Sequence, residues 1–120
     1  MSQVEEHLQR GIALKNNGDY NDARRELKAA LTLDAAISEA HRQLGLIYGY
    51  MGRFEDSIIE LLEAVSEDPM NLDARNELAL TYTMLGLREE ARREFEVVLN
   101  ADPTNEVANK NIVYLARAAG

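Results

Sequence analysis

Residues 44–69 read LGLIYGYMGRFEDSIIELLEAVSEDP, and this stretch decides the fold because its landmarks return one period later. Leu44-Gly45, Tyr48, Gly52, Leu61, Ala64 and Pro69 become Leu78-Ala79, Tyr82, Gly86, Phe95, Val98 and Pro103, each 34 residues on. Glycine alone recurs at 18, 52, 86 and 120 in the same step. A fixed period of this length means a stacked array of small units, none of which buries its apolar face alone.

Aligned on the period, the chain gives units 4–37, 38–71 and 72–105 without insertion or deletion, followed by a remnant, 106–120. Apolar residues fall at helical spacing on two segments per unit, Leu44, Ile47 and Tyr48 on one and Ile58, Leu61, Leu62 and Val65 on the next. The punctuation agrees. Gly18, Gly52 and Gly86 stand where a first helix must end, Asp68-Pro69 and Asp102-Pro103 close second helices, and Asn71 and Asn105 follow as N-caps. The spacing predicts seven helices, at about 4–17, 21–33, 38–51, 55–67, 72–85, 89–101 and 106–118.

Small residues occupy fixed columns (Gly11, Gly45, Ala79; Ala23, Ser57, Ala91; Ala30, Ala64, Val98), where helix backbones can approach closely. Large ones fill the space beside them: Leu14, Tyr48, Tyr82; Leu27, Leu61, Phe95; Leu31, Val65, Leu99.

The ordered series of Leu-Gly, Tyr, Gly, Ala, a large apolar residue, Ala and Pro resembles the tetratricopeptide repeat motif across nearly the whole chain. The resemblance implies an all-α, right-handed superhelical solenoid of antiparallel helix hairpins, forming a single domain over 1–120 closed by a capping helix at 106–120. The sequence departs from the motif where tryptophan is frequent: that column holds His7, His41, Arg75 and Asn109. Arg10 and Ala35 replace the leucine and proline of the motif in the first unit, which suits an end unit. In the last helix Ala116 replaces the column tyrosine, while Ile112 and Val113 stay apolar. Either they lie partly exposed at a natural end, or the chain continues or pairs there with a second copy.

Composition narrows the function classes. There are 21 acidic and 13 basic residues, a net charge of −8, which disfavours phosphate-rich nucleic acid and anionic membrane and favours neutral or basic partners. The second unit alone carries −5, and most of its carboxylates fall in the second helix, where a solvated outer face accounts for them. No apolar run approaches membrane-spanning length and the acidic N-terminus lacks signal-peptide character, so a cytoplasmic location is the expectation. Cysteine is absent, and with it disulfides, thiol nucleophiles and thiolate metal sites.

Catalysis is not expected either. His7 and His41 share a column about one interhelix spacing apart, too far for one metal ion. Glu5-Glu6, Glu55-Asp56 and Glu89-Glu90 are sequence neighbours whose side chains diverge on a helix, and no phosphate-binding loop occurs. Neither a cofactor nor a metal is expected.

What the resemblance implies is a concave face lined by the first helices. Carried onto this sequence, its ninth unit position reads Ile12, Leu46, Leu80 and Tyr114, an apolar stripe, with Tyr50 and Met84 beside it. Gln9, Gln43, Glu77, Asn111, Leu8, Arg42, Asn76 and Lys110 surround the stripe, as a polar rim surrounds the core of an interface. Ile12, Leu46 and Leu80 could equally be packing between first helices. The expected binding residues are Ile12, Arg42, Gln43, Leu46, Tyr50, Asn76, Glu77, Leu80, Met84 and Tyr114. Family members that grip a C-terminal carboxylate use Lys, Asn, Asn, Lys and Arg, where this chain has Leu8, Ile12, Gln43, Asp73 and Glu77, so that clamp is missing. The expected role is a scaffold or adaptor holding a helix or extended peptide of a partner protein. The alternatives are a self-assembling module that pairs through the C-terminal helix, or a regulatory segment of a larger protein.

Overall fold

The computed structural model describes residues 1–119, all seven regular elements being α-helices: α1 (Gln3–Asn16), α2 (Tyr20–Leu33), α3 (Ser38–Tyr50), α4 (Phe54–Glu67), α5 (Leu72–Met84), α6 (Arg88–Ala101) and α7 (Glu106–Ala119). The helices start and stop where the repeat punctuation placed them. Gly18, Gly52 and Gly86 adopt φ of 85°, 75° and 78°, a left-handed backbone that other residues enter only at a cost. The fourth glycine of the series, Gly120, lies outside the described residues. Asn71 accepts from the Ala74 amide at 3.2 Å and Asn105 from the Ala108 amide at 3.0 Å, satisfying a free N–H of the first turn in each case.

The chain separates into two compact units, Met1–Asp68 and Pro69–Gly120. In the first, α1 packs on α2, α2 on α3 and α3 on α4, so consecutive hairpins stack. Ala23 and Leu27 of α2 share a core with Leu44, Ile47 and Tyr48 of α3, flanked by Leu8, Leu14, Tyr20, Leu31 and Met51. Two guanidinium groups pack over the Tyr48 ring, the Arg24 and Arg53 carbons lying 5.3 and 4.8 Å from its centroid. In the second unit α5 packs on α6 and α6 on α7. Ala79, Ala91, Phe95, Val98, Ala108 and Leu115 form its core, with Leu72, Leu80, Tyr82, Leu99 and Ile112 against it.

The small-residue columns bring helices together as their size requires. A Cβ built on Gly11 would lie 2.7 Å from Leu27 Cγ, and one on Gly45 would lie 2.7 Å from Leu61 Cγ. At this second crossing the Ser57 hydroxyl also donates to the Gly45 carbonyl at 2.7 Å. Of the four apolar residues grouped on α4, Leu61 and Val65 are buried and Ile58 is half-buried, but Leu62 is exposed. Helical geometry gives the reason: Leu62 sits about 100° from Leu61, beyond the edge of the buried stripe.

Candidate binding surface

Each hairpin is latched at its open end by the column that lacks tryptophan. His7 Nδ1 lies 2.6 Å from Glu26 Oε2, His41 Nδ1 2.9 Å from Glu60 Oε2, and Arg75 Nη1 donates to Glu94 Oε2 at 2.9 Å. Each partner is 19 residues on, in the second helix of the same hairpin. A second arm of the same column reaches back six residues to the connecting turn: His41 Nε2 lies 3.2 Å from the Ala35 carbonyl, Arg75 Nε donates to Pro69 O at 3.1 Å, and Asn109 Nδ2 donates to Pro103 O at 3.0 Å. The polar column is therefore a hairpin latch. The glutamates Glu26, Glu60 and Glu94 were missed in the sequence, although their own 34-residue recurrence was there to be read.

The latch perturbs Glu26. Its hydrogen bond to His7, and secondarily the Arg10 charge, hold the carboxyl below the usual range, with burial opposing them. Burial raises the Tyr82 phenol, helped by the Glu94 and Glu90 charges.

The residues expected to bind a partner divide between the two units. In the first unit, α1 and α3 lie against each other and a polar chain links them. Lys15 Nζ donates to Gln43 Oε1 at 2.6 Å, Gln43 Nε2 donates to Glu39 Oε2 at 3.0 Å, and Arg42 Nη1 donates to the same oxygen at 2.8 Å. Ile12 and Leu46, on these two helices, are half-buried. Tyr50 is 60% exposed and stacks on Tyr20, the ring centroids 5.8 Å apart, so it also supports the loop end of the first hairpin.

In the second unit Leu80 packs against the unit core and Glu77 is half-buried, whereas Met84 and Tyr114 are exposed. Gln43 and Asn76 differ from the open polar rim expected of them, each being only 5% exposed. The Gln43 amide is spent on Lys15 and Glu39. Asn76 Nδ2 donates to Asn105 Oδ1 at 3.1 Å, and its own Oδ1 has no hydrogen-bond partner among the described residues. At the C-terminal helix, Ile112 packs inward while Val113 stays 50% exposed.

Among the described residues no group of three or more His, Cys, Asp or Glu could hold a metal ion, and no helix is long and apolar enough to cross a membrane.

A tetratricopeptide repeat profile matches residues 8–48 and 42–106. A search of curated proteins finds no significant match. Among solved structures, the chain is similar to the first such domain of Spaghetti (RPAP3) bound to the HSP90 peptide SRMEEVD, with a TM-score of 0.91 at 18% identity over 98% of this chain and 93% of that one. It is similar to the second such domain of human RPAP3 in complex with the HSP70 peptide SGPTIEEVD, with a TM-score of 0.87 at 22% identity over 95% of each chain. MamA gives a TM-score of 0.91 at 26% identity over 98% of this chain and 68% of that one.

Proposed function

Because this chain belongs to the tetratricopeptide repeat family, we propose that it is a protein-binding module that holds a segment of a partner protein against its first helices. The observation that carries the reading is the α1–α3 wall of the first unit. Two half-buried apolar residues, Ile12 and Leu46, accompany a pre-organised polar chain from Lys15 through Gln43 and Glu39 to Arg42. Side chains already held in one rotamer lose little further entropy when a ligand arrives, which favours recognition by such a wall.

A partner would displace water from the edges of Ile12 and Leu46 and use Arg42 to fix its register. Gln43 would back the wall rather than touch the ligand. In the second unit Leu80 and Tyr114 hold the repeat position of Ile12 and Leu46, Glu77 that of Gln43 and Met84 that of Tyr50, while Asn76, at the column of Arg42, is buried and donates to Asn105.

The kind of partner follows from charge. RPAP3 domains bind peptides ending in Glu-Glu-Val-Asp. Here Asp73 and Glu77 stand among the positions where carboxylate-gripping relatives carry cations, so a partner with an apolar anchor and neutral or basic flanks fits, and an acidic C-terminus does not.

Selection of peptides from a displayed random library on the immobilised chain tests the reading. Recovered peptides should carry one or two large apolar residues without an acidic C-terminus, and Leu46→Glu should weaken their binding by about 10-fold or more while leaving the helical circular-dichroism spectrum intact. Peptides ending in acidic runs, or equal binding to the variant, would refute it.

A further inference from the structure

The second helices of the three hairpins are alike where they are buried and unlike where they face solvent. At two outward columns α2 carries Arg25 and Lys28, and α6 carries Arg93 and Glu96. At the same columns α4 carries Ile59 and Leu62. Ile59 is 58% exposed and Leu62 44% exposed. Side chains three positions apart stand next to each other on a helix, so these two residues form one apolar ridge. No packing need of the hairpin explains it, because α2 and α6 build the same hairpin with charges there.

The ridge lies in an unusual field. α4 contains five acidic residues and no basic one. Asp56 is paired with Arg53 at 2.8 Å and Glu60 with His41 at 2.9 Å. Glu55, Glu63 and Glu67 are exposed, and no ion pair engages them among the described residues. By helical angle Glu63 and Glu67 run along one flank of the Ile59–Leu62 ridge, and Glu55 stands at its N-terminal end.

We infer that the outward face of α4 is a second docking surface, whose ligand is a basic amphipathic helix of another protein. The apolar ridge would pack into the groove between apolar side chains spaced three and four apart on the partner, and the partner's Lys or Arg would meet Glu55, Glu63 and Glu67. Charge complementarity selects this occupant. Two α4 faces would bring ten carboxylates together, so a second copy docking face to face is disfavoured, and an anionic membrane is repelled for the same reason.

The surface is separate from the α1–α3 wall, so the two readings can fail independently. The test uses three 18-residue helical peptides and fluorescence anisotropy with the full chain. One carries leucines at helical spacing with lysine flanks, a second the same leucines with glutamate flanks, and a third the lysines with glutamine in place of leucine.

The first peptide should bind at least about 10-fold more tightly than either control, and about 5-fold more weakly at 300 mM than at 50 mM salt, since exposed charges are screened over roughly 10 Å at 0.1 M. Ile59→Arg/Leu62→Lys installs the residues α2 carries at those columns and should lose about 10-fold in affinity with an unchanged melting temperature. Glu63→Lys/Glu67→Lys should lose a comparable factor without altering the ridge, and Leu46→Glu should bind normally. Backbone amide NMR shifts should cluster on α4. Failure of the first peptide to bind, equal binding of all three, indifference to the α4 variants, shifts elsewhere, or self-association through α4 would each overturn the inference.

Discussion

The hairpins of the first unit and the α5–α6 hairpin of the second solve the same packing problem with different residues. In the first unit the crossing column is glycine, Gly11 and Gly45, facing the branched Leu27 and Leu61, and there is no room for a methyl group. In the second it is Ala79, buried in one cluster with Phe95. A flat ring beside a methyl group has replaced a branched side chain beside none. The repeat thus conserves a volume shared by two columns rather than a residue, and each column is readable only together with its partner.

Crowding the glycine crossings of the first unit should have the largest effect. Gly45→Leu should prevent stable folding altogether, whereas Gly45→Ala should cost about 1–3 kcal/mol, because the new Cβ would meet Leu61 at 2.7 Å in a packed interior. Chemical denaturation measures both. If volume is shared, Gly45→Ala combined with Leu61→Phe should recover part of the loss in a double-mutant cycle, and simple additivity would show that the columns are independent.

A smaller effect should follow from Ser57→Ala. It removes the hydroxyl bond to the Gly45 carbonyl but leaves the alanine that Ala23 and Ala91 already supply in that column, so about 0.5–1.5 kcal/mol is expected by denaturant titration. Tyr50→Ala should lose the Tyr20 stack, worth on the order of 0.5–1.5 kcal/mol, detected as a lowered melting temperature.

The smallest effect concerns the latches. Glu26 is held below the ordinary carboxylate range in the folded chain, so the unfolded chain takes up its proton first as acid is added. Its contribution is therefore complete above the ordinary range and is lost as the pH falls through the lower, folded value. Glu26→Gln should flatten that part of the stability curve by well under ~1 kcal/mol, as befits a partly exposed pair. An unchanged acid limb would remove the latch from the account of stability.

Much of this was legible in the sequence because the period tests every reading three times. The helix limits, the three left-handed glycines and the Asn71 and Asn105 caps each rest on a local rule that the next repeat repeats. What escaped was of two kinds. The His7–Glu26, His41–Glu60 and Arg75–Glu94 pairs lie in polar columns, and hydropathy cannot distinguish a solvated carboxylate from one reaching 19 residues back. Gln43 and Asn76 looked like a rim for the same reason, since nothing local in an amide says that Lys15 or Asn105 will cover it. Leu62 erred in the opposite direction: it is apolar and helically spaced, yet lies past the edge of the buried stripe.

The functional proposal depends most on Leu46, at the centre of the α1–α3 wall. The direct measurement is the affinity of library-selected peptides for the wild-type chain and for Leu46→Glu, read by titration calorimetry beside a thermal melt of each protein. A loss of about 10-fold or more at an unchanged melting temperature is expected, a size usual for an anchor residue buried by its partner. Equal affinities in two equally folded proteins would contradict it.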